Sequence, residues 1–234
     1  MSRYAPSGVT YQFGPGGMTP AIRALLIVNV GLFLVTSFAP ASMKLAIWDL
    51  AGLTPSNVIG RVWIWQVATY MFLHAGPMHI LFNMLNLWMF GVELEKRWGT
   101  QAFAKYYFVT GIGAGLTVVF VSLLPFESTR AIYRVPTIGA SGAVYAVILA
   151  WALIFRDRVL MFMMMFPLPA RVYAALMAAI VFYSALGSSG SGVAHFAHLG
   201  GLVVGYLYLK GPKTPRDIRL ELQYRLGKHP EVSA

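Results

Sequence analysis

The chain has 234 residues, of which 58% are hydrophobic and only 11% charged. Soluble domains carry about 25% charged residues, so a water-soluble globule and a disordered chain are both excluded. The net charge of +10 raises the question of nucleic acid, while the absence of cysteine excludes disulfide scaffolds, thiolate metal sites and cysteine nucleophiles.

Residues 1–18 are Gly-, Pro- and polar-rich with no apolar run, which does not read as a signal peptide. Thr19-Pro20 reads as an N-cap followed by proline at the first helical position. Windows 24–43, 106–126 and 135–155 hold no Asp, Glu, Lys or Arg, and each is about long enough to span a bilayer. Two longer charge-free windows, 62–92 and 172–209, are divided by Pro77 and by the run from Gly187 to Gly192. The reading is six helices, at about 21–39, 77–93, 103–124, 137–155, 170–186 and 193–209, with 40–76 as a long loop. Two of them are short for a full span, as is tolerated where helices line a cavity. If the N-terminus is cytoplasmic, 14 of the 18 Lys and Arg fall on that side, leaving only Lys44, Arg61, Arg130 and Arg134 outside. Both termini are therefore expected in the cytoplasm, and topology rather than nucleic acid accounts for the basic balance. Thr214-Pro-Arg-Asp217 resembles a capping box opening a short helix with Ile218, Leu222 and Leu226 on one face. The domain reading is a cytoplasmic segment 1–18, a six-helix domain 19–210 and a basic cytoplasmic tail 211–234.

Polar side chains at membrane depth are costly and call for an explanation. His79 and Asn83 fall in the second predicted helix, Ser141 in the fourth and His198 in the sixth. All three helices descend from the outside, so at about 1.5 Å per residue the four residues share one level in the outer third of the membrane. Taken singly each has a bland reading: serine as a close-packing residue, asparagine as interhelical glue, histidine as a structural hydrogen bonder. Together they imply a water-filled pocket open to the outside. A serine becomes a nucleophile beside a base. His198 is the candidate base because His198, Gly201 and Gly205 share one helical stripe, on which glycines permit close approach. His195 ranks second. Gly139 and Gly142 thin the fourth helix around Ser141. No Asp or Glu lies in the membrane-embedded parts of these helices, which leaves a Ser/His dyad rather than a triad. Ser141 lies near a helix start, where the dipole favours a developing negative charge. His79 and Asn83, at i and i+4, share a face from which they can donate to an oxyanion.

At these residues the chain resembles the rhomboid family of intramembrane serine proteases. The second-helix pattern H-x4-H-x3-N is His74, His79 and Asn83; G-x-S-G is Gly139-Ala-Ser141-Gly142, followed by Tyr145; H-x2-G-x3-G is His198, Gly201 and Gly205. Glu95-Lys-Arg97 after the second helix also fits, and the resemblance covers about residues 20–210. It implies an all-α integral membrane bundle of six transmembrane helices, Ser141 as nucleophile and His198 as general base. It further implies an oxyanion hole of His79, Asn83 and the Ser141 backbone N–H, with Tyr145 packed on the catalytic imidazole. The family's Trp-Arg pair reads Trp65-Gln66 here, which puts that arginine's loop contacts in question. Six helices match the basic bacterial form, which implies the inner membrane.

The function expected is a serine endopeptidase that cuts transmembrane segments of other proteins near the outer face, with no cofactor and no metal. Its partners are transmembrane substrates and the lipid bilayer, not nucleic acid. Two rivals are a catalytically inactive rhomboid-like binding protein, and a metal site or transporter using His74, His79, His195 and His198. The second lacks an accompanying intramembrane carboxylate.

Overall fold

The computed structural model describes residues 15–126, 129, 131–162, 166–187 and 193–211. The Gly187–Gly192 turn beyond Gly187 and the capping-box helix of the tail lie outside them. The first helix, α1 (Pro20–Phe38), starts one residue after Thr19. Thr19 occupies the N-cap position but does not cap with its own side chain. Its hydroxyl donates instead to the fully buried Glu95 carboxylate, which also accepts the Ala21 and Ile22 backbone N–H groups. A carboxylate 74 residues away in sequence thus satisfies the orphan donors of α1.

The stretch expected as a long loop is largely helical. It holds α2 (Ala41–Ala51), α3 (Pro55–Gly60), α4 (Gln66–Thr69) and a 3₁₀ turn at Tyr70–Phe72. These pieces are too short for a clear period in sequence, and tertiary hydrogen bonds hold them. Gln66 is fully buried, donating from Nε2 to the Asp49 and Leu50 carbonyls and accepting the Thr54 N–H. Trp65 donates from its indole to the Leu50 carbonyl. Gln66 therefore clamps the loop together with Trp65 and with Thr69, whose hydroxyl donates to the Ala51 carbonyl.

The long helix α5 (Pro77–Trp98) runs through Glu95 and Arg97, which stand in its last turns rather than after it. Its partner α6 (Thr100–Ser122) follows across Gly99, whose φ of +80° turns the chain. The central helix α7 (Ser141–Ile154) begins at Ser141, four residues later than the sequence suggests. A two-stranded antiparallel hairpin, β1 (Val159–Phe162) with β2 (Phe166–Pro169), then leads into α8 (Ala170–Gly187), and α9 (Val193–Lys210) closes the described chain. An all-apolar run carries no period-2 signal, so the sequence gives no warning of that hairpin.

Packing runs from the inside outward around α7, whose Gly142–Ile148 and Ala150–Ala152 are nearly all buried. Helices α5, α6, α8 and α9 all pack against it. The outer surface is apolar as well: α1 exposes Ile27, Val28, Leu34, Val35 and Phe38. Exposed apolar surface on this scale is foreign to a water-soluble monomer. Helices α1 and α6 are long and apolar enough to cross a bilayer, while α7 and Ala170–Tyr183 of α8 are shorter apolar helices.

Candidate active site

Ser141 is placed by the loop that precedes it. Thr137 pairs with Leu53 in an isolated antiparallel bridge, exchanging two backbone hydrogen bonds. The Gly139 N–H then donates to the Tyr70 carbonyl, and the Tyr70 hydroxyl donates to the Gly111 carbonyl of α6. Gly139 therefore lies outside the helix, contrary to its expected part in thinning it. Its φ of +123° is open to glycine and strained for any L side chain. A Cβ there would also stand 2.7 Å from His79 Nε2 and 3.8 Å from Ser141 Oγ. That backbone turn ends the loop and makes Ser141 the first residue of α7. Its N–H is consequently one of the helix's unpaired leading donors.

His198 reaches Ser141 from α9, with Nε2 and Oγ 2.7 Å apart. The approach depends on two glycines. A Cβ on Gly201 would sit 2.0 Å from the Gly142 carbonyl oxygen, and one on Gly142 would meet the Ala114 methyl at 2.6 Å and the Ala197 carbonyl at 3.2 Å. Backbone thus lies on backbone one turn from the histidine. Gly205 continues the stripe, facing Ala146 and the Tyr106 hydroxyl, which donates to the Ala146 carbonyl. Tyr145, one turn beyond Ser141, stacks on the His198 ring with centroids 4.4 Å apart at 26°. The His195 ring stands edge-on to His198 at 6.2 Å and has no described hydrogen bond to Ser141.

His79 comes from the first turn of α5. Its Nδ1 accepts the Ala75 N–H at 3.4 Å, so the ring proton sits on Nε2, which faces Gly139. Asn83, buried one turn on, uses one Nδ2 hydrogen on the His79 carbonyl and retains the other. His74 is almost fully buried just before α5, edge-on to His79 at 5.0 Å, with no hydrogen-bond partner for either ring nitrogen among the described residues. Burial, reinforced by His79 alongside, pushes its pKa down to about 4. Among the described residues, no three His, Asp or Glu side chains gather as a metal-ligand set.

The fold thus brings Ser141, His198, Tyr145, His79 and Gly139 round one small space, with Asn83 one turn away. The Tyr70 carbonyl and the Ala75 N–H, which hold Gly139 and His79, are main-chain groups and leave no signal in the sequence.

The family model of the rhomboid domain matches residues 62–211. The chain belongs to the rhomboid family. It is 30% identical over 171 residues to RHOMBOID-like protein 1 of Arabidopsis thaliana, covering 72% of this chain and 39% of that protein. It is 27% identical over 198 residues to rhomboid protease GlpG of Yersinia pseudotuberculosis, covering 85% of this chain and 63% of the relative. GlpG of Yersinia pestis matches at the same identity and coverage. This rhomboid therefore spans less than two thirds of the length of these relatives. As a member of the family it is an integral membrane protein, mostly helical, and its similarity extends to proteins of both plant and bacterial origin.

Proposed function

We propose that this rhomboid is an intramembrane serine endopeptidase working through a Ser141/His198 dyad. The observation that carries the reading is the 2.7 Å contact between His198 Nε2 and Ser141 Oγ at the start of α7. In this role the Ser141 hydroxyl donates to an unprotonated Nε2, with the imidazole proton on Nδ1. As Oγ attacks the scissile carbonyl carbon, its proton passes to Nε2. His198 then gives that proton to the leaving amine as the C–N bond breaks, which leaves an acyl ester on Ser141. Water, deprotonated by His198, hydrolyses the ester and restores the serine. Tyr145 acts as a positioning residue, its ring stacked on the imidazole so that Nε2 stays aimed at Oγ.

The oxyanion that forms twice in this cycle takes hydrogen bonds from the Ser141 N–H, His79 Nε2–H and the free Asn83 Nδ2–H. The N-terminal end of α7 adds its partial positive charge. These donors are fixed before reaction, the N–H by the Gly139 turn and the His79 tautomer by the Ala75 amide.

We further propose that α1, α5, α6, α7, α8 and α9 all traverse the membrane, with both termini cytoplasmic. The Lys and Arg distribution supports that orientation. Helix α7, with 14 residues, is only about 21 Å long. The hydrocarbon core is about 30 Å thick, so Ser141 at its outer end lies below the surface, in a depression reachable by water. Substrates are transmembrane segments entering from the bilayer, and cleavage falls near the outer face. An intact helix has its backbone amides paired, so the scissile stretch must unwind, at least cost where Gly or Pro interrupts it.

Purified protein in vesicles, incubated with a single-span substrate carrying a Gly-Pro interruption in its outer half, tests this. Cleavage near the interruption, absent in Ser141→Ala, is the expected outcome. Cleavage of a uniformly Leu-rich span, or at its cytoplasmic end, would overturn the unwinding argument or the orientation respectively.

A further inference from the structure

A tyrosine inside an apolar bundle calls for a reason that a phenylalanine would not. Tyr70 is 1% exposed, and a buried hydroxyl is costly unless it is bonded. It donates to the Gly111 carbonyl of α6 at 2.7 Å. In a helix that carbonyl also accepts the N–H four residues on, so the tyrosine bond adds nothing that α6 needs for itself. The Tyr70 ring rests where α6 has glycine. A Cβ on Gly115 would stand 3.0 Å from Tyr70 Cε1, 3.2 Å from Leu53 Cδ2 and 3.2 Å from the Val67 carbonyl oxygen. One notch in α6 therefore seats Tyr70 and Leu53 together.

These two residues both hold the run that leads into Ser141. Leu53 pairs with Thr137 through both its backbone groups, and the Tyr70 carbonyl accepts the Gly139 N–H at 2.9 Å. That carbonyl also accepts the Leu73 N–H at 3.3 Å, so both its lone pairs are committed and its direction is fixed. At its other end the Tyr70 hydroxyl lies 3.5 Å from where a Gly142 Cβ would stand. Tyr70 thus meets the chain two residues before Ser141 and one residue after it. Gly139 has no side chain to lock its φ of +123°, and glycine moves among backbone states at little cost. The bond from Tyr70 and the neighbouring Leu53 bridge restrain it.

We propose that Tyr70 is a positioning residue for the oxyanion hole. With its hydroxyl fixed on α6, its carbonyl holds the Gly139 turn, and that turn aims the Ser141 N–H at the oxygen on which charge develops. Tyr70 touches no reacting atom and acts only through Gly139. The proposal rests on the Ser141/His198 reading and deepens it, by tying the aim of one oxyanion donor to α6.

Tyr70→Phe removes the hydroxyl and keeps the ring. In vesicles with a single-span substrate, kcat should fall about tenfold with KM unmoved, where outright loss of a donor costs about 10²–10³. The unfolding midpoint should move by no more than a few degrees. A peptide aldehyde built on the amino side of the substrate's cut puts its oxygen into the hole once Ser141 adds to its carbonyl carbon. Its affinity should fall by the same factor as kcat. The matching peptide alcohol, which has no carbonyl there, should bind equally to both proteins. The Gly139 amide should exchange with deuterium faster in Tyr70→Phe, a change that needs no catalysis to be seen. Gly115→Ala, which keeps the hydroxyl but crowds the ring from α6, is the second variant and should move kcat, aldehyde affinity and exchange in the same directions. Unchanged kcat and aldehyde affinity in both variants would overturn the proposal. Equal weakening of aldehyde and alcohol, or a rate loss that only follows the unfolding midpoint, would overturn it too and make Tyr70 a packing residue. Undiminished cleavage by Ser141→Ala would sink the dyad and this role with it, whereas an intact dyad indifferent to Tyr70→Phe sinks this role alone.

Discussion

Gly201→Ala places a methyl group where α9 crosses α7. The new carbon would stand 2.0 Å from the Gly142 carbonyl oxygen, 2.7 Å from its carbonyl carbon and 3.1 Å from its Cα. All three are backbone atoms, so no side chain can turn aside. The helices must part by roughly an ångström or more before the contact relaxes to van der Waals range. Overpacking of this kind costs about 1–3 kcal/mol of stability. The damage to chemistry is greater, because His198 lies one turn from Gly201 and Ser141 is the neighbour of Gly142. Their 2.7 Å contact would open beyond hydrogen-bond range. Misplacing reacting groups by about 1 Å costs on the order of 10²-fold in rate. Cleavage of a single-span substrate in vesicles reads the rate, and thermal unfolding in detergent reads the stability. Gly31→Ala in α1, which meets nothing within 4 Å, is the control and should keep full activity. A Gly201→Ala enzyme that cleaves at the wild-type rate would refute the claim that this crossing sets the dyad distance.

His198→Ala should abolish cleavage, whereas His195→Ala should keep a substantial part of it; equal loss in both would remove the reason for separating the two histidines. Asn83→Ala should slow turnover by about 10²–10³-fold, the usual cost of one oxyanion donor, and an unchanged rate would return Asn83 to interhelical packing. His74 is held neutral, with its pKa pushed from 6.5 down to about 4. The unfolded chain therefore binds the extra proton first, and stability falls as pH drops from about 6.5 toward about 4. The midpoint measured at pH 7 and pH 5 should differ less in His74→Leu, and an identical pH slope would contradict that assignment.

Five of the six predicted helices were legible in the sequence to within a few residues at their starts, because composition and punctuation decide where an apolar helix begins. The start of α7 was not. Gly139 and Ala140 look like a continuation of the helix, and only the positive φ of Gly139 shows that it ends the loop. The α2–α4 region was opaque for another reason: Gln66 and Leu53 hold it through partners that no local period reveals. The cap supplied to α1 by Glu95 is equally long-range. Ser141 and His198 could be singled out because each lies beside small residues, Tyr145 only through the family resemblance, and the fold brings those three together. The backbone groups of Tyr70 and Ala75 could not, since a main-chain donor or acceptor leaves no mark on residue identity.

The dyad is tested most directly by a serine-reactive fluorophosphonate followed by peptide mapping. The wild-type protein should carry one adduct, on Ser141, and labelling should be lost in Ser141→Ala and in His198→Ala, with cleavage of a single-span substrate lost alongside it. An adduct on another serine, or undiminished cleavage by Ser141→Ala, would contradict the mechanism.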